Sequence, residues 1–489
     1  MSGTFQRVLR TTGLVLAGQL FGRVTSAIVY VSMGRLLGKA ELGRFSFVVA
    51  YVGIFQVIGD LGLQQIVVRE VARGGADRAR VVFNAALLRL LLASLACVAV
   101  LSLLPWVGAE HKSAEVQWMV FAGCAWILSY AALPLGAVFR ATMRMGTPVA
   151  ANAVGNACYA VLAVLGILLV RHAWAPWLAL VVTSVGPALA IAWFGVRTLR
   201  PDPRPSARLM FELARTSWPL ALNSLLMVIY NRIDQVMIQH YLGPAELGGY
   251  AAAVKLMEIW NVVPFAVMAS IFPLLSRYAG EHAERHREVL KRTLELLVIV
   301  IVGAVPFVAR YGGWLLGLVF GPAFVSAHKT LVILTMAELF LYFLFVFRDS
   351  FVSEGRERLV LLFAGSTMVV NVILNWILIP RLGIEGAAWA TLVALVGVLV
   401  LAFAIRDVRH YGWLALGALV RPAVAGAAAA TILWWMAERP IASGALALAA
   451  YAGVLVATGA IDRAEVALVR DLLARRRPDG PPTPPSGVP

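Results

Sequence analysis

The side chains best equipped for chemistry in this sequence lie inside long apolar runs. Gln19, Arg23, Ser26 and Tyr30 recur every three or four residues, which places them on one face of a helix. Asn223, Met227, Tyr230, Asn231 and Asp234 form a comparable stripe, with Arg232 two positions from Asp234 and so pointing elsewhere. Lys255 and Glu258 are three apart, close enough to neutralise each other, and Glu338, Tyr342 and Asp349 share a face beside Arg348. Asn152, Asn156 and Tyr159 line one apolar run, and Asn371 and Asn375 another. An ionisable group in hydrocarbon costs several kcal/mol unless it is paired, reaches the interface or faces water. A buried arginine stays protonated and offers several oriented donors, which suits a phosphate or diphosphate.

The substrate-cavity candidates are therefore Gln19, Arg23, Tyr30, Asn152, Asn156, Asn223, Tyr230, Asn231, Arg232, Asn371 and Asn375. Asp234, Lys255, Glu258, Glu338 and Asp349 are candidates for ion coupling or charge balance. Plainer roles remain open for each. Asparagines in membrane helices often bond neighbouring helices, Lys255 and Glu258 form a local pair on that reading, and either acid balances an arginine.

Enzyme motifs are absent. There is no phosphate loop, no HExxH and no nucleophile elbow. The seven histidines show no metal-ligand grouping, and the three cysteines, Cys97, Cys124 and Cys158, sit in apolar runs, where small buried hydrophobes are expected. No catalytic residue, metal or cofactor is expected. Loops on the side poorer in positive charge are short, so transport outranks membrane enzymology.

The elements that must position these residues are membrane helices. Of 489 residues, 61% are hydrophobic and 14% charged, against about 25% charged in soluble domains; the mean hydropathy is +0.82. The fold class is all-α, a polytopic membrane protein of about fourteen spans. Six are expected near 12–33, 45–65, 83–107, 116–138, 149–170 and 174–196. Eight more fall near 215–238, 248–273, 293–315, 330–352, 359–380, 384–405, 413–435 and 441–461. The first run lacks a convincing cleavage site and reads as a span rather than a signal peptide. The net charge of +16 sits mainly in short connections, which points to anionic lipid at the cytoplasmic face and away from nucleic acid. With fourteen spans, 29 Lys and Arg fall on the side of the termini and nine on the other, so both termini are expected to be cytoplasmic. Arg35, Lys39 and Arg44 run against that bias.

Leu37-Gly38-Lys39-Ala40-Glu41-Leu42-Gly43-Arg44-Phe45 recurs as Leu242-Gly243-Pro244-Ala245-Glu246-Leu247-Gly248-Gly249-Tyr250. The offset of 205 residues spans an even number of helices, so the repeat should be parallel, about an axis along the membrane normal. Pro201, Pro203 and Pro205 discourage helix between the halves. The expected division is a six-helix bundle at 1–200, a cytoplasmic linker at 201–214, and a second bundle at 215–410. Two further helices at 411–461 and a cytoplasmic, partly disordered tail at 462–489 follow. The connection 277–292 suggests a short surface helix, and Pro219, Pro264 and Pro306 should bend their spans.

In this order and between these spans, a set of short pieces resembles the polysaccharide-export and oligosaccharide-lipid flippase family. That family sits in the superfamily of multidrug, oligosaccharidyl-lipid and polysaccharide exporters. The pieces are Asn231-Arg232-Ile233-Asp234-Gln235, Tyr241-Leu242-Gly243 with Glu246-Leu247-Gly248-Gly249-Tyr250, and Leu36-Leu37-Gly38 with Glu41-Leu42-Gly43. Leu382-Gly383-Ile384-Glu385-Gly386-Ala387-Ala388-Trp389-Ala390-Thr391 completes them. The resemblance implies an extrusion-carrier-like fold of two six-helix bundles around a cavity, in the bacterial inner membrane. It implies movement of a polyprenyl-diphosphate-linked glycan between leaflets by alternating access, with membrane lipids, a polysaccharide polymerase and glycosyltransferases as partners. Arg23 and Arg232 are the positions closest to the family's cavity arginines. Three rivals remain: a flippase for lipid-linked peptidoglycan precursor, a cation-coupled drug or toxin extrusion carrier, and a nontransporting scaffold for polysaccharide assembly.

Overall fold

A computed structural model describes residues 2–460 except 61, 75–76, 108–112, 143–144 and 280–281. The tail 462–489, Lys112 and Arg144, and the side chains of Arg7, Arg10 and Pro219, lie outside the described residues. The first half of the chain contains α1 (Ser2–Leu36), α2 (Lys39–Asp60), α3 (Leu63–Arg73) and α4 (Arg78–Leu103). It continues with α5 (Ala114–Ser129), α6 (Ala137–Ala141), α7 (Gly146–Val170) and α8 (Trp174–Leu199). Then come α9 (Ala207–Leu242), α10 (Pro244–Met257), α11 (Val262–Tyr278), α12 (Ala283–Phe320) and α13 (His328–Ser353). The last four are α14 (Glu357–Leu382), α15 (Ile384–Ala404), α16 (Arg409–Trp435) and α17 (Pro440–Ala457). There is no strand among the described residues.

Twelve elements are long and apolar enough to cross a membrane, and α10 with α11, bent by 41°, makes a thirteenth. The polar α9 has 36 residues, about 54 Å at 1.5 Å per residue, more than a bilayer core requires. Twelve or thirteen spans are thus apolar enough, and α9, long enough but polar, is the fourteenth only by length. Large apolar side chains such as Trp434, Trp435, Leu169 and Val154 cover the outside, as lipid-facing helices demand.

The repeated motif is a helix stop followed by a helix start. Gly38 and Gly243 end α1 and α9 with φ of 86° and 83°, a region that costs a side-chain-bearing residue dearly. Glu41 and Glu246 then sit in the first turns of α2 and α10, where a carboxylate complements the helix dipole. Gly383 and Glu385 repeat the arrangement between α14 and α15. The two copies of the motif also touch. A Cβ at Gly43 would lie 1.8 Å from the Pro244 carbonyl oxygen, and one at Gly248 would lie 1.9 Å from the Lys39 carbonyl oxygen. Lys39 and Pro244 are equivalent in the repeat, as are Gly43 and Gly248, so the contact is reciprocal, as a two-fold relation between α2 and α10 requires.

At this Gly38 end the residues that ran against the charge bias are engaged. Arg35 donates from Nε to the Val319 carbonyl at 2.9 Å and from its terminal nitrogen to Leu318, covering the open carbonyls at the end of α12. Lys39 Nζ lies 2.7 Å from Ser326 Oγ, and Arg44 pairs with Glu41.

At the other end the extended linker covers 201–206, and α9 begins earlier than the expected 215. Buried Asn84 of α4 straps it down. Its Nδ2 donates to the Arg80 and Arg204 carbonyls at 2.9 and 3.0 Å, and its Oδ1 accepts from Ser206 N at 2.7 Å. Leu209, Leu213 and Leu220 of α9 then pack with α3, α4 and α6, while Ile238 near its other end joins the main core. Among the described residues no separate surface helix forms over 277–292: α11 runs to Tyr278, and from Ala283 onward the chain is one 38-residue α12. Its first turns bury His286, Leu290 and Thr293 on the body of the protein. The last two helices dock on α12: Arg310 donates to the Ala437 carbonyl at 2.6 Å and Tyr451 to the Ile299 carbonyl at 2.6 Å.

Candidate functional site

Two cavities with polar side chains in their walls flank α1. The larger, about 610 Å³, is bounded by α9, α10, α13, α14 and α15, with Arg23 of α1 reaching its wall. Tyr230, Asn231, Arg232 and Asp234 of α9 line it, as do Glu258, Asn261, Glu338 and Arg348. The second cavity, about 470 Å³, lies between α1, α7, α8 and the 130–136 turn, and Gln19, Asn152, Asn156 and Tyr159 face it. Gln19 and Arg23, one turn apart on α1, thus look into different cavities.

Arg23 and Arg232 share the larger cavity and form neither a hydrogen bond nor an ion pair among the described residues. Arg348 is engaged, pairing with Asp349 at 2.8 Å and stacking on Phe345 with its centre 5.0 Å from the ring. Asp234 accepts a short hydrogen bond from the Tyr250 hydroxyl and one of 2.7 Å from the Gln235 amide. Lys255 and Glu258 pair at 2.8 Å, and the Lys255 ammonium stands 4.5 Å from the Tyr30 ring. Tyr30 and Lys255 therefore join α1 to α10 without lining either cavity.

The break between α10 and α11 is held by α13. Asn261 donates to Glu338 Oε1 at 3.2 Å, and the Tyr342 hydroxyl donates to the Trp260 carbonyl at 2.6 Å. Pro264, the third residue of α11, lies just past this break. Glu338 is 1% exposed and its Oε2 has no partner among the described residues, so a proton or a cation would relieve a buried carboxylate oxygen there.

The remaining candidates lie apart from both cavities. Asn375 Nδ2 donates to Asn371 Oδ1 at 3.0 Å, and Asn371 Nδ2 to Thr391 Oγ1 at 3.3 Å; both asparagines are buried. They tie α14 to α15. Asn223 has a buried Oδ1 without a partner among the described residues.

Sequence reasoning passed over several residues of the site. Gln64, Tyr130, Arg140, Thr183 and Ser184 line the smaller cavity, and Arg89 is 2% exposed behind Gln64, donating to its Oε1 at 3.4 Å. Arg89 lies within an apolar run, so the rule that singled out Arg23 would have found it. Gln64 sits on α3, an amphipathic helix of 11 residues that no span-length window detects. A group of possible metal ligands, Glu41, Glu115 and His172, also comes together with ligand atoms within 4.8 Å. Glu41 is already engaged by Arg44 and by the Ala173 amide, which donates to it at 2.7 Å.

Twelve or thirteen helices able to span a membrane, a repeat whose two copies touch at their own motif, and cavities between the helices are features of the multidrug, oligosaccharidyl-lipid and polysaccharide exporter fold. Solved structures agree. A lipid II flippase MurJ in an inward closed conformation matches with a TM-score of 0.69 at 12% identity, over 94% of this chain and 99% of that one. An inward-facing multidrug resistance MATE transporter matches at 0.61 with 16% identity, over 81% and 94%. Within that fold, the chain belongs to the polysaccharide biosynthesis protein family, whose model matches residues 8–279. The MatE family model also matches 219–377. Among curated proteins, the Haloferax volcanii "Probable low-salt glycan biosynthesis flippase Agl15" is 23% identical over 409 residues, 83% of each chain. The "Probable flippase AglR" of the same organism is 25% identical over 240 residues, 45% of this chain and 49% of that one.

Proposed function

We propose that this protein is a flippase that carries polyprenyl-diphosphate-linked oligosaccharide from the cytoplasmic to the outer leaflet of a bacterial inner membrane, for cell-surface polysaccharide synthesis. The observation that carries the reading is the pair Arg23 and Arg232, two guanidinium groups on one cavity wall inside the helical bundle, neither hydrogen-bonded nor ion-paired among the described residues. The cavity's own carboxylates, with Asp234 in electrostatic reach of Arg232, make no hydrogen bond to either guanidinium among the described residues, so the arginine donors are open to an anion from outside. A diphosphate supplies acceptors for both. The named glycan-biosynthesis flippases among its relatives support the same substrate class.

On this reading the bundles are 1–200 and 215–410, joined through 201–214, and 411–461 adds two helices. Both termini are cytoplasmic. The headgroup enters between the bundles while the prenyl tail stays in lipid, and closing one end as the other opens spares phosphate and sugar a passage through hydrocarbon. Binding alone gives no direction, so Asp234 and Glu338 are assigned to ion coupling, with the buried Glu338 Oε2 as the exchangeable site. The protein does no covalent chemistry, and glycosyltransferases and a polymerase supply and consume its cargo.

The test is reconstitution into vesicles with defined lipid-linked glycans. Arg23→Ala and Arg232→Ala each remove charge-assisted hydrogen bonds of about 1.5–3 kcal/mol, roughly 10- to 150-fold in transfer, while leaving the folded fraction unchanged. Normal flipping by both variants would reject the assignment. Transfer of small organic cations in preference to glycan lipids would favour an extrusion carrier.

A further inference from the structure

The two cavities differ in charge, and that difference assigns them different parts of one substrate. The larger contains Asp234, Glu258 and Glu338 beside its arginines. Among the described residues no carboxylate lines the smaller one, and Arg140 is its one charged lining residue. Its wall is otherwise made of groups that hydrogen-bond without net charge. Gln19, Asn152 and Asn156 have no hydrogen-bond partner among the described residues, although each side chain lies in a membrane span. An amide left unpaired against hydrocarbon is costly, so these three face water or a ligand. The hydroxyls of Thr183 and Ser184 donate to the Ala179 and Leu180 carbonyls, both at 2.6 Å, leaving their oxygens free to accept.

The geometry points to the smaller cavity as the glycan compartment, receiving the sugars nearest the lipid, neutral or carboxylated, while the diphosphate lies with Arg23 and Arg232 next door. This rests on the flippase reading and deepens it. A sugar hydroxyl both donates and accepts, and so does a primary amide. Gln19, Asn152 and Asn156 therefore match a polyol whichever way its hydroxyls turn, as a ring of carboxylates would not. The Tyr159 ring, 6% exposed, adds an apolar face beside them. Without a carboxylate on the wall, a uronic acid meets Arg140 rather than repulsion. The volume of about 470 Å³ lies within the range of small-molecule sites. Gln19 and Arg23 are four residues apart on α1, about 6 Å along the axis, so the two cavities meet α1 within about one helical turn of each other. Gly18 and Gly22 keep α1 close to α7 here: a Cβ at Gly22 would lie 2.9 Å from Asn156 Nδ2.

Binding of three probes to the full chain in nanodiscs tests this: undecaprenyl diphosphate without sugar, the same lipid with a neutral trisaccharide, and the same lipid with a trisaccharide containing a uronic acid. Gln19 and Asn152 are exposed to the cavity, so the pair Gln19→Ala with Asn152→Ala leaves packing undisturbed. Both glycan lipids should bind about tenfold more weakly to it, with the bare lipid within about twofold of wild type. Asn152→Asp, nearly isosteric, should weaken the uronic acid lipid more than the neutral one. Equal losses for all three lipids, or no loss for the glycan lipids, would overturn the assignment and leave the diphosphate reading standing. Failure of the wild-type protein to bind any of the three would overturn the flippase reading and this one with it.

Discussion

One methyl group at Gly248 should push α2 and α10 apart where they cross. The added carbon would lie 1.9 Å from the Lys39 carbonyl oxygen, and its counterpart at Gly43 would lie 1.8 Å from that of Pro244. A carbon and a carbonyl oxygen rest at about 3.3 Å or more, so the helices must separate by roughly 1.4 Å. The obstacle is backbone on both sides, and no side chain can rotate away. Overpacking of this kind costs about 1–3 kcal/mol. If the crossing is made only while this end is closed, the cost falls on that state alone and moves the balance between closed and open by roughly 5- to 150-fold. Gly43→Ala with Gly248→Ala should cost less than the sum of the two, since one separation relieves both. Spin labels at Leu36 and Tyr241, in a background lacking Cys97, Cys124 and Cys158, read the distance across the crossing by double electron–electron resonance. Gly248→Ala should enrich the longer distances. Gly397, where an added Cβ would meet nothing within 4 Å, is the control, since Ala there should leave the distances unchanged. A distance distribution for Gly248→Ala that matches wild type would refute the argument.

Two further outcomes follow from polar contacts at the opposite end. Burial pushes the Glu354 carboxyl upward, but hydrogen bonds and charge from His286, Tyr411 and Arg356 outweigh it and hold it below its usual range. A carboxyl depressed in the folded state stabilises above its unfolded pKa and stops doing so as pH falls through its folded value. Glu354→Gln should therefore lower the melting temperature at neutral pH, and the gap from wild type should narrow below about pH 5; a gap constant down to about pH 3 would contradict this. Asn84→Ala deletes three hydrogen bonds from a fully buried side chain. A loss of about 1–3 kcal/mol and faster proteolysis within 201–206 are expected, and unchanged cleavage would show that the strap is dispensable.

What the sequence made legible was whatever depends on local rules. Long apolar runs marked the helices because a lipid-embedded backbone must bond to itself, and Leu-Gly followed by Glu marked the turns because φ and the helix dipole act within a few residues. Partnership was not legible. Asn152 and Asn156 face a cavity, whereas Asn371 and Asn375, placed similarly in the other half, bond to each other and to Thr391. The difference comes from which helix lies opposite, and spacing does not contain that. Nor did a shared helix face imply a shared destination. Gln19 and Arg23 diverge because α1 is flanked by a cavity on either side. The expected surface helix at 277–292 merged with α12 because charged and apolar residues alternate at helical period across the membrane boundary, and charge content alone marks no end there.

The double allegiance of α9 bears on how halves of such carriers can be exchanged. Pro201, Pro203 and Pro205 advertise a seam, yet beyond it Leu213 is buried, and Leu209 and Leu220 partly buried, against residues of the first half. A hybrid cut at the prolines would hand the recipient a rod whose opening turns, with Leu213 buried, were shaped for another socket. A splice after Leu220 would keep that fit and place the joint where the helix leaves one neighbourhood for the other.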